Sequence, residues 1–137
     1  MEGSLASRVR DAALLEGDFV LSSGRRSRFY VDKYLFSTEP GLLRDLARGL
    51  ARKLPEGTAK LAGVELGAVP LAAATALETG LPYVIVRKEA KGHGANAGRA
   101  VEGRLEAGEG VVLVEDVVTT GRRSSGPRRS WRARGSR

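Results

Sequence analysis

The residue types best suited to chemistry stand in one string, Val111-Val112-Leu113-Val114-Glu115-Asp116-Val117-Val118-Thr119-Thr120-Gly121. Four apolar residues read as a buried strand, the clearest in the chain. Two adjacent carboxylates follow at its carboxyl end, then two threonines and a glycine. In open α/β sheets, ligands bind just beyond the carboxyl ends of strands. A Thr-Thr-Gly turn offers hydroxyls and closely spaced backbone N–H groups, which can cradle a phosphate. The paired acids would repel a phosphate but accept hydrogen bonds from sugar hydroxyls. The string therefore suits a sugar phosphate, with its diol on the acids and its phosphate on the loop.

A second string, Arg87-Lys88-Glu89-Ala90-Lys91-Gly92-His93-Gly94, gathers three cations and the only histidine of the chain. A charged loop is ordinarily just solvated, but a glycine-containing cationic loop can also close over a polyanion. Two further segments lie near strand ends. Phe19 to Lys33 contains an aromatic pair, Phe29-Tyr30, among basic residues; taken alone, that pair reads as core. Gly63 to Ala72 passes from a short apolar run into Pro70 and an alanine-rich stretch, and a helix N-terminus there would favour an anion.

The elements that must position these groups follow from the apolar pattern. Ser4 is a cap for a helix running to about Glu16, with Leu5, Val9, Ala12 and Ala13 on one face. Phe19-Val20-Leu21 and Phe29 to Leu35 read as strands around a polar turn, with Phe29, Val31 and Lys33 on one face. Thr38 is expected to cap a stronger helix with Pro40 in its first turn and Leu42, Leu43, Leu46, Ala47, Leu50 and Leu54 at helical spacing. Leu61 to Val64 reads as a buried strand, Val69 to Glu78 as a helix closed by Gly80, and Tyr83 to Val86 as the next strand. Lys88 to Gly98 reads as a loop, Val101 to Leu105 as an extended edge strand, and Val111 to Val114 as a central strand buried on both faces. The sum predicts an α/β fold, a parallel sheet with helices on both faces.

Composition excludes several classes. Among the 137 residues there is no cysteine, which removes disulfide scaffolds, thiolate metal sites and cysteine nucleophiles. A single histidine, His93, removes a multi-histidine metal centre. The longest uncharged stretch, Leu66 to Leu77, is too short to span a bilayer, and the N-terminus has no secretory pattern. A cytoplasmic protein without membrane contact is expected. The net charge of +7 is local: the acids and bases of residues 1–120 cancel, and the excess is seven arginines between Arg122 and Arg137.

The string Val111 to Gly121 resembles the phosphoribosyl pyrophosphate (PRPP) motif of type I phosphoribosyltransferases. Arg87 to Gly94 is nearly the RKEAKxHG loop of the orotate phosphoribosyltransferases. Phe19 to Lys33 and Gly63 to Ala72 resemble that family's N-terminal hood and pyrophosphate loop, in the same order along the chain. The resemblance implies transfer of the phosphoribosyl group from PRPP to orotate, giving orotidine 5′-monophosphate and pyrophosphate, within pyrimidine biosynthesis. It implies magnesium, bound through PRPP with Glu115 and Asp116 reached through water, and a homodimer. By position it assigns Arg87, Lys88, Lys91 and His93 to the leaving pyrophosphate and Glu115 and Asp116 to the ribose diol. Thr119, Thr120 and Gly121 fall to the 5′-phosphate, and Val117 and Val118 to PRPP with them. Phe29, Tyr30, Lys33 and Thr119 are placed near orotate.

Gly92 stands where the family usually has Asp, and Ser22 where many members have Lys or Arg. The family also continues well past the PRPP motif, with a helix, further strands and an orotate-binding arginine. Here residues 1–121 read as an incomplete transferase domain and residues 122–137 as an arginine-rich, disordered tail. A changed reading frame accounts for the abrupt shift better than a genuine basic tail, and a chain of this form is expected to be weakly active or inactive. The alternatives are a transferase acting on a purine base, which would lack the RKEAKxHG loop, a non-catalytic PRPP sensor, or an RNA binder resting on the tail arginines alone, with nucleic acid the least supported partner.

Overall fold

The computed structural model describes residues 3–89, 92–94, 98 and 100–117. Helix α1 (Leu5–Ala13) opens as the sequence predicts, with the Ser7 N–H donating to the Ser4 hydroxyl at 3.2 Å. It stops at Ala13, short of Glu16, because the next residues pair as strands. β1 (Leu14–Val20) and β2 (Arg26–Val31) form an antiparallel hairpin with Leu14 opposite Val31 and Val20 opposite Arg26. Gly24 supplies the turn with φ +81°, a conformation other residues resist.

The second strand ends at Val31 rather than Leu35. Tyr34–Ser37 is instead a one-turn helix, α2, whose Tyr34 N–H donates to Asp32 Oδ1 at 3.0 Å. Phe29 and Tyr30 are not core: they are 52% and 45% exposed, since the hairpin stands as its own two-stranded sheet.

Helix α3 (Pro40–Lys53) is capped by Glu39, not Thr38. The Glu39 carboxylate accepts from the Leu42 N–H at 2.7 Å and the Gly41 N–H at 3.1 Å, while the Thr38 hydroxyl donates back to the Tyr34 carbonyl. Those donors, Leu42 first, hold the Glu39 carboxyl below its ordinary value of 4.5. A lowered folded-state pKa stabilises above the unfolded value and is lost as pH falls through the folded one. Glu39→Gln should therefore melt below the parent at pH 7. The gap should narrow as pH falls below the ordinary value of 4.5 and close below the lowered one, as followed by circular dichroism at each pH.

The second half builds the main sheet from β3 (Lys60–Val64), β4 (Tyr83–Val86), β5 (Val101–Glu102) and β6 (Val111–Val114), in the order β5-β4-β3-β6. β3 runs parallel to β4 and to β6, and β5 pairs antiparallel with β4 at the edge. Helix α4 (Val69–Thr79) makes the crossover that parallel neighbours require. Gly80, at φ +75°, ends it as predicted. The α/β class is borne out; β5 makes the sheet mixed.

One face of this sheet is covered by α4 and, beyond it, α3, where Ala68, Leu71, Ala72 and Val114 form a core with Leu43, Leu46 and Leu50 packed against it. A second cluster, Ala13, Phe36 and Leu42, ties α1 and α2 to α3. Gly63 permits the sheet–helix approach: a Cβ there would stand 2.8 Å from the Ala72 Cβ and 3.0 Å from the Ala68 carbonyl oxygen. Backbone cannot yield as a flexible side chain can. Gly63→Ala should cost about 1–3 kcal/mol, the range for overpacking a fitted interior, read from denaturant midpoints at unchanged slope.

Two expectations are corrected on the other face. Among the described residues the helices lie on one side of the sheet, and the opposite side carries a hollow of about 820 Å³ lined by Ala62, Val64, Val84, Val86 and Leu113. β6 is an edge strand rather than a central one, paired with β3 alone among the described strands. Val114 is buried under the helices, whereas Val111 and Leu113 are 39% and 41% exposed toward the hollow. The turn before β6 is fastened from below. Lys60, almost wholly buried, donates to Glu109 at 2.9 Å and to the Arg104 carbonyl.

Candidate active site

Because β3, β4 and β6 are mutually parallel, their carboxyl ends share one edge of the sheet. The segments leaving them, from Glu65, Arg87 and Glu115 onward, therefore converge. Glu65 joins the first two: its N–H donates to the Val86 carbonyl at 2.8 Å, and its carboxylate accepts from the Lys88 N–H at 2.6 Å. The Arg87 N–H donates to the Ala100 carbonyl at 2.7 Å, so both ends of the cationic loop are fixed to the sheet. The Arg87 guanidinium stands 3.9 Å from the Glu102 carboxylate, and its Nε is buried without an acceptor among the described residues.

The third segment meets the first at Gly67. A Cβ on Gly67 would fall 1.9 Å from Asp116 Oδ2, so the close approach exists only because the residue is glycine. Asp116 Oδ2 also receives the Lys33 ammonium at 2.6 Å, with the acid side chain only 12% exposed and the lysine 34%. Burial pushes the Asp116 carboxyl up. The Lys33 hydrogen bond and charge, with the N–H groups of Asp116 and Val117, outweigh it and leave the pKa below the ordinary 3.8. The hydrogen bond to Asp116 raises the Lys33 pKa in turn, against a smaller opposing effect of burial. The pair is thus fully ionised across the neutral range.

Consecutive residues leaving a strand point to opposite sides. Glu115 accordingly lines the hollow, with Oε1 buried and without a hydrogen-bond partner among the described residues, while Asp116 turns to Lys33. Orphaned buried polar atoms such as Glu115 Oε1 and Arg87 Nε call for an explanation, and a ligand is one.

Of the residues singled out from the sequence, Arg87, Lys88, Glu115, Asp116 and Lys33 gather at this edge. Val117 follows, half exposed, and His93 is exposed. Tyr30 lies within electrostatic range of Lys33, and its ring packs against Phe19 at a centroid distance of 5.5 Å. Phe29 is half exposed on the same strand. Lys91, Val118, Thr119, Thr120, Gly121 and the arginine-rich segment lie outside the described residues. Two residues were missed as individuals, Glu65 and Gly67. A glycine between a strand and a helix start is the signal of close backbone approach that could have found the second.

Residues 40–123 match the family model described as the phosphoribosyl transferase domain. A relative from Methanocella arvoryzae, an orotate phosphoribosyltransferase, is 48% identical over 92% of this chain and 71% of its own length. One of the same name from Natronomonas pharaonis is 54% identical over 85% of this chain and 66% of its own. Among solved structures, the Mycobacterium tuberculosis orotate phosphoribosyltransferase in complex with Fe(III) dicitrate superposes with a TM-score of 0.67 at 35% identity, over 85% of this chain and 67% of that one. Its complex with PRPP gives 0.61 at 31% identity, over 85% and 65%. The chain thus spans about two thirds of the length of the relatives it matches.

Proposed function

This chain belongs to the phosphoribosyl transferase family, among its orotate phosphoribosyltransferases, and from that premise we propose that it transfers the 5-phosphoribosyl group of PRPP to orotate. The orotate reading of the chain is borne out by these relatives, against a purine-base transferase. The observation that carries the mechanism is the seating of the Asp116 carboxylate against Gly67, beyond the ends of three parallel strands.

In this reading the ribose diol sits across the end of β6, where it donates to Asp116 on one side and Glu115 on the other. Thr119, Thr120 and Gly121 hold the 5′-phosphate, and the turn from Glu65 to the start of α4 receives the pyrophosphate. The C1–oxygen bond of PRPP breaks with its electrons leaving on pyrophosphate, and a ring nitrogen of orotate closes on the cationic sugar as its N–H proton passes to water. Charge grows on the leaving group, so Arg87, Lys88, Lys91 and His93 act where it grows. Orotate lies beside Tyr30, Phe29 and Thr119.

Magnesium fits this donor set. The described residues hold no cluster of three or more metal-ligating side chains, whereas Glu115 Oε1 is buried and unpartnered. Magnesium keeps its waters and prefers substrate phosphates with one or two carboxylates. Glu115 and Asp116 would hold it through water, and when bound it supplies charge neutralisation for the pyrophosphate. A homodimer and a cytoplasmic setting belong to the same reading. The exposed Val20, Phe29 and Val31 of the hairpin support a protein-covered surface, which light scattering of the purified chain would test.

Asp116→Asn should weaken magnesium-dependent PRPP binding by about 10- to 100-fold, the worth of a hydrogen bond to a charged group, by calorimetry. Unchanged affinity would remove the ribose assignment.

A further inference from the structure

Lys33 belongs to the N-terminal unit, yet its charge is spent in the PRPP motif. Its ammonium lies 2.6 Å from Asp116 Oδ2 and 5.6 Å from the centroid of the Tyr34 ring. The base of the side chain is well fixed. Lys33 caps α2, its carbonyl accepts from the Ser37 N–H at 3.2 Å, and Phe36 and Ser37 of that helix are buried. Gly67 completes the junction, since a Cβ there would stand 3.1 Å from Lys33 Nζ as well as against the carboxylate. So three segments distant in sequence meet at one oxygen atom.

We propose that Lys33 is a positioning residue for Asp116, holding one carboxylate oxygen so that the remaining acceptor capacity faces the ribose hydroxyls of PRPP. This rests on the ribose assignment above, and it replaces a direct contact of Lys33 with orotate. A carboxylate oxygen anchored by an ammonium keeps one orientation. The paired charge also offsets the repulsion that a lone acid would exert on the phosphates of PRPP. The N-terminal unit thereby acts on PRPP as well as on the base.

The test compares Lys33→Met and Lys33→Arg in the 137-residue chain and in its Asp116→Asn variant. PRPP with magnesium and orotate are titrated separately by calorimetry, and melting temperatures report folding. Lys33→Met should weaken PRPP binding about tenfold, Lys33→Arg should restore most of it, and in Asp116→Asn the methionine should change nothing further. Equal losses with and without the Asp116 carboxylate would mean that Lys33 touches PRPP itself and would overturn the proposal. A loss confined to orotate would return Lys33 to the base. Coupling seen in melting temperature but absent from PRPP binding would reduce the pair to a structural tie and would also overturn it. A parent chain that takes up no PRPP would instead remove the ribose assignment, a result distinct from all of these.

Discussion

Replacing Gly67 by alanine is expected to weaken PRPP binding by at least about 100-fold, more than loss of the Asp116 charge alone. The added Cβ would sit 1.9 Å from Asp116 Oδ2, well inside van der Waals contact, and 3.1 Å from Lys33 Nζ. One methyl group therefore evicts the carboxylate, breaks the ion pair and shifts the turn between β3 and α4, so the subsites proposed for the diol and the pyrophosphate are damaged together. Asp116 can swing toward solvent, which keeps the damage local, and melting should fall by only a few degrees, on the order of 1 kcal/mol. Gly49→Ala is the matching control: its Cβ in α3 meets only Leu5 Cδ2, at 3.9 Å, an ordinary contact. Calorimetry with PRPP and magnesium on both variants decides it. Wild-type affinity in Gly67→Ala would show that the carboxylate seat has no part in binding.

The legible parts of this fold are those whose cause is local. Leu42 to Leu50 mark α3 by their spacing; Pro70 and Gly80 bracket α4 because one lacks an N–H and the other takes a positive φ without strain. The strand runs at Leu61, Tyr83 and Val111 are equally plain. What failed was set by neighbours. Thr38 and Glu39 can both cap, and the choice fell to Glu39 because the Thr38 hydroxyl is occupied by the turn of α2 behind it. Four apolar residues at Val111 describe a strand with two apolar faces, but how many strands and helices flank it is a matter of topology, and β6 has one strand partner among those described. Leu14 to Glu16 carry a pattern usable by helix or strand; pairing with Phe29 to Val31 decided it. The site divides the same way. Glu115, Asp116 and the loop cations were readable from their strings. The meeting of Lys33, Gly67 and Asp116 was not, because nothing in three separate segments encodes a shared oxygen atom.

Turnover should depend on the cationic loop in a different way from binding. Lys91→Ala and His93→Ala are each expected to lower kcat by about 100-fold while leaving PRPP affinity within a few-fold of the parent. The loop leaves β4 at Val86 and returns at Val101, and both roots are fixed, by Lys88 N–H to Glu65 and by Arg87 N–H to Ala100. Glu65 also begins the turn proposed to receive pyrophosphate, so loop and turn share one root. His93 is exposed. Negative charge on the pyrophosphate rises as the C1–oxygen bond stretches, and a cation that contacts it then stabilises the transition state more than bound PRPP. The measurement is steady-state formation of orotidine 5′-monophosphate beside direct PRPP titration of each variant, in a chain that turns over. If the Michaelis constant rose while kcat held, the loop would be a ground-state clamp, and the charge that drives pyrophosphate departure would have to come from Arg87 and the turn at Glu65.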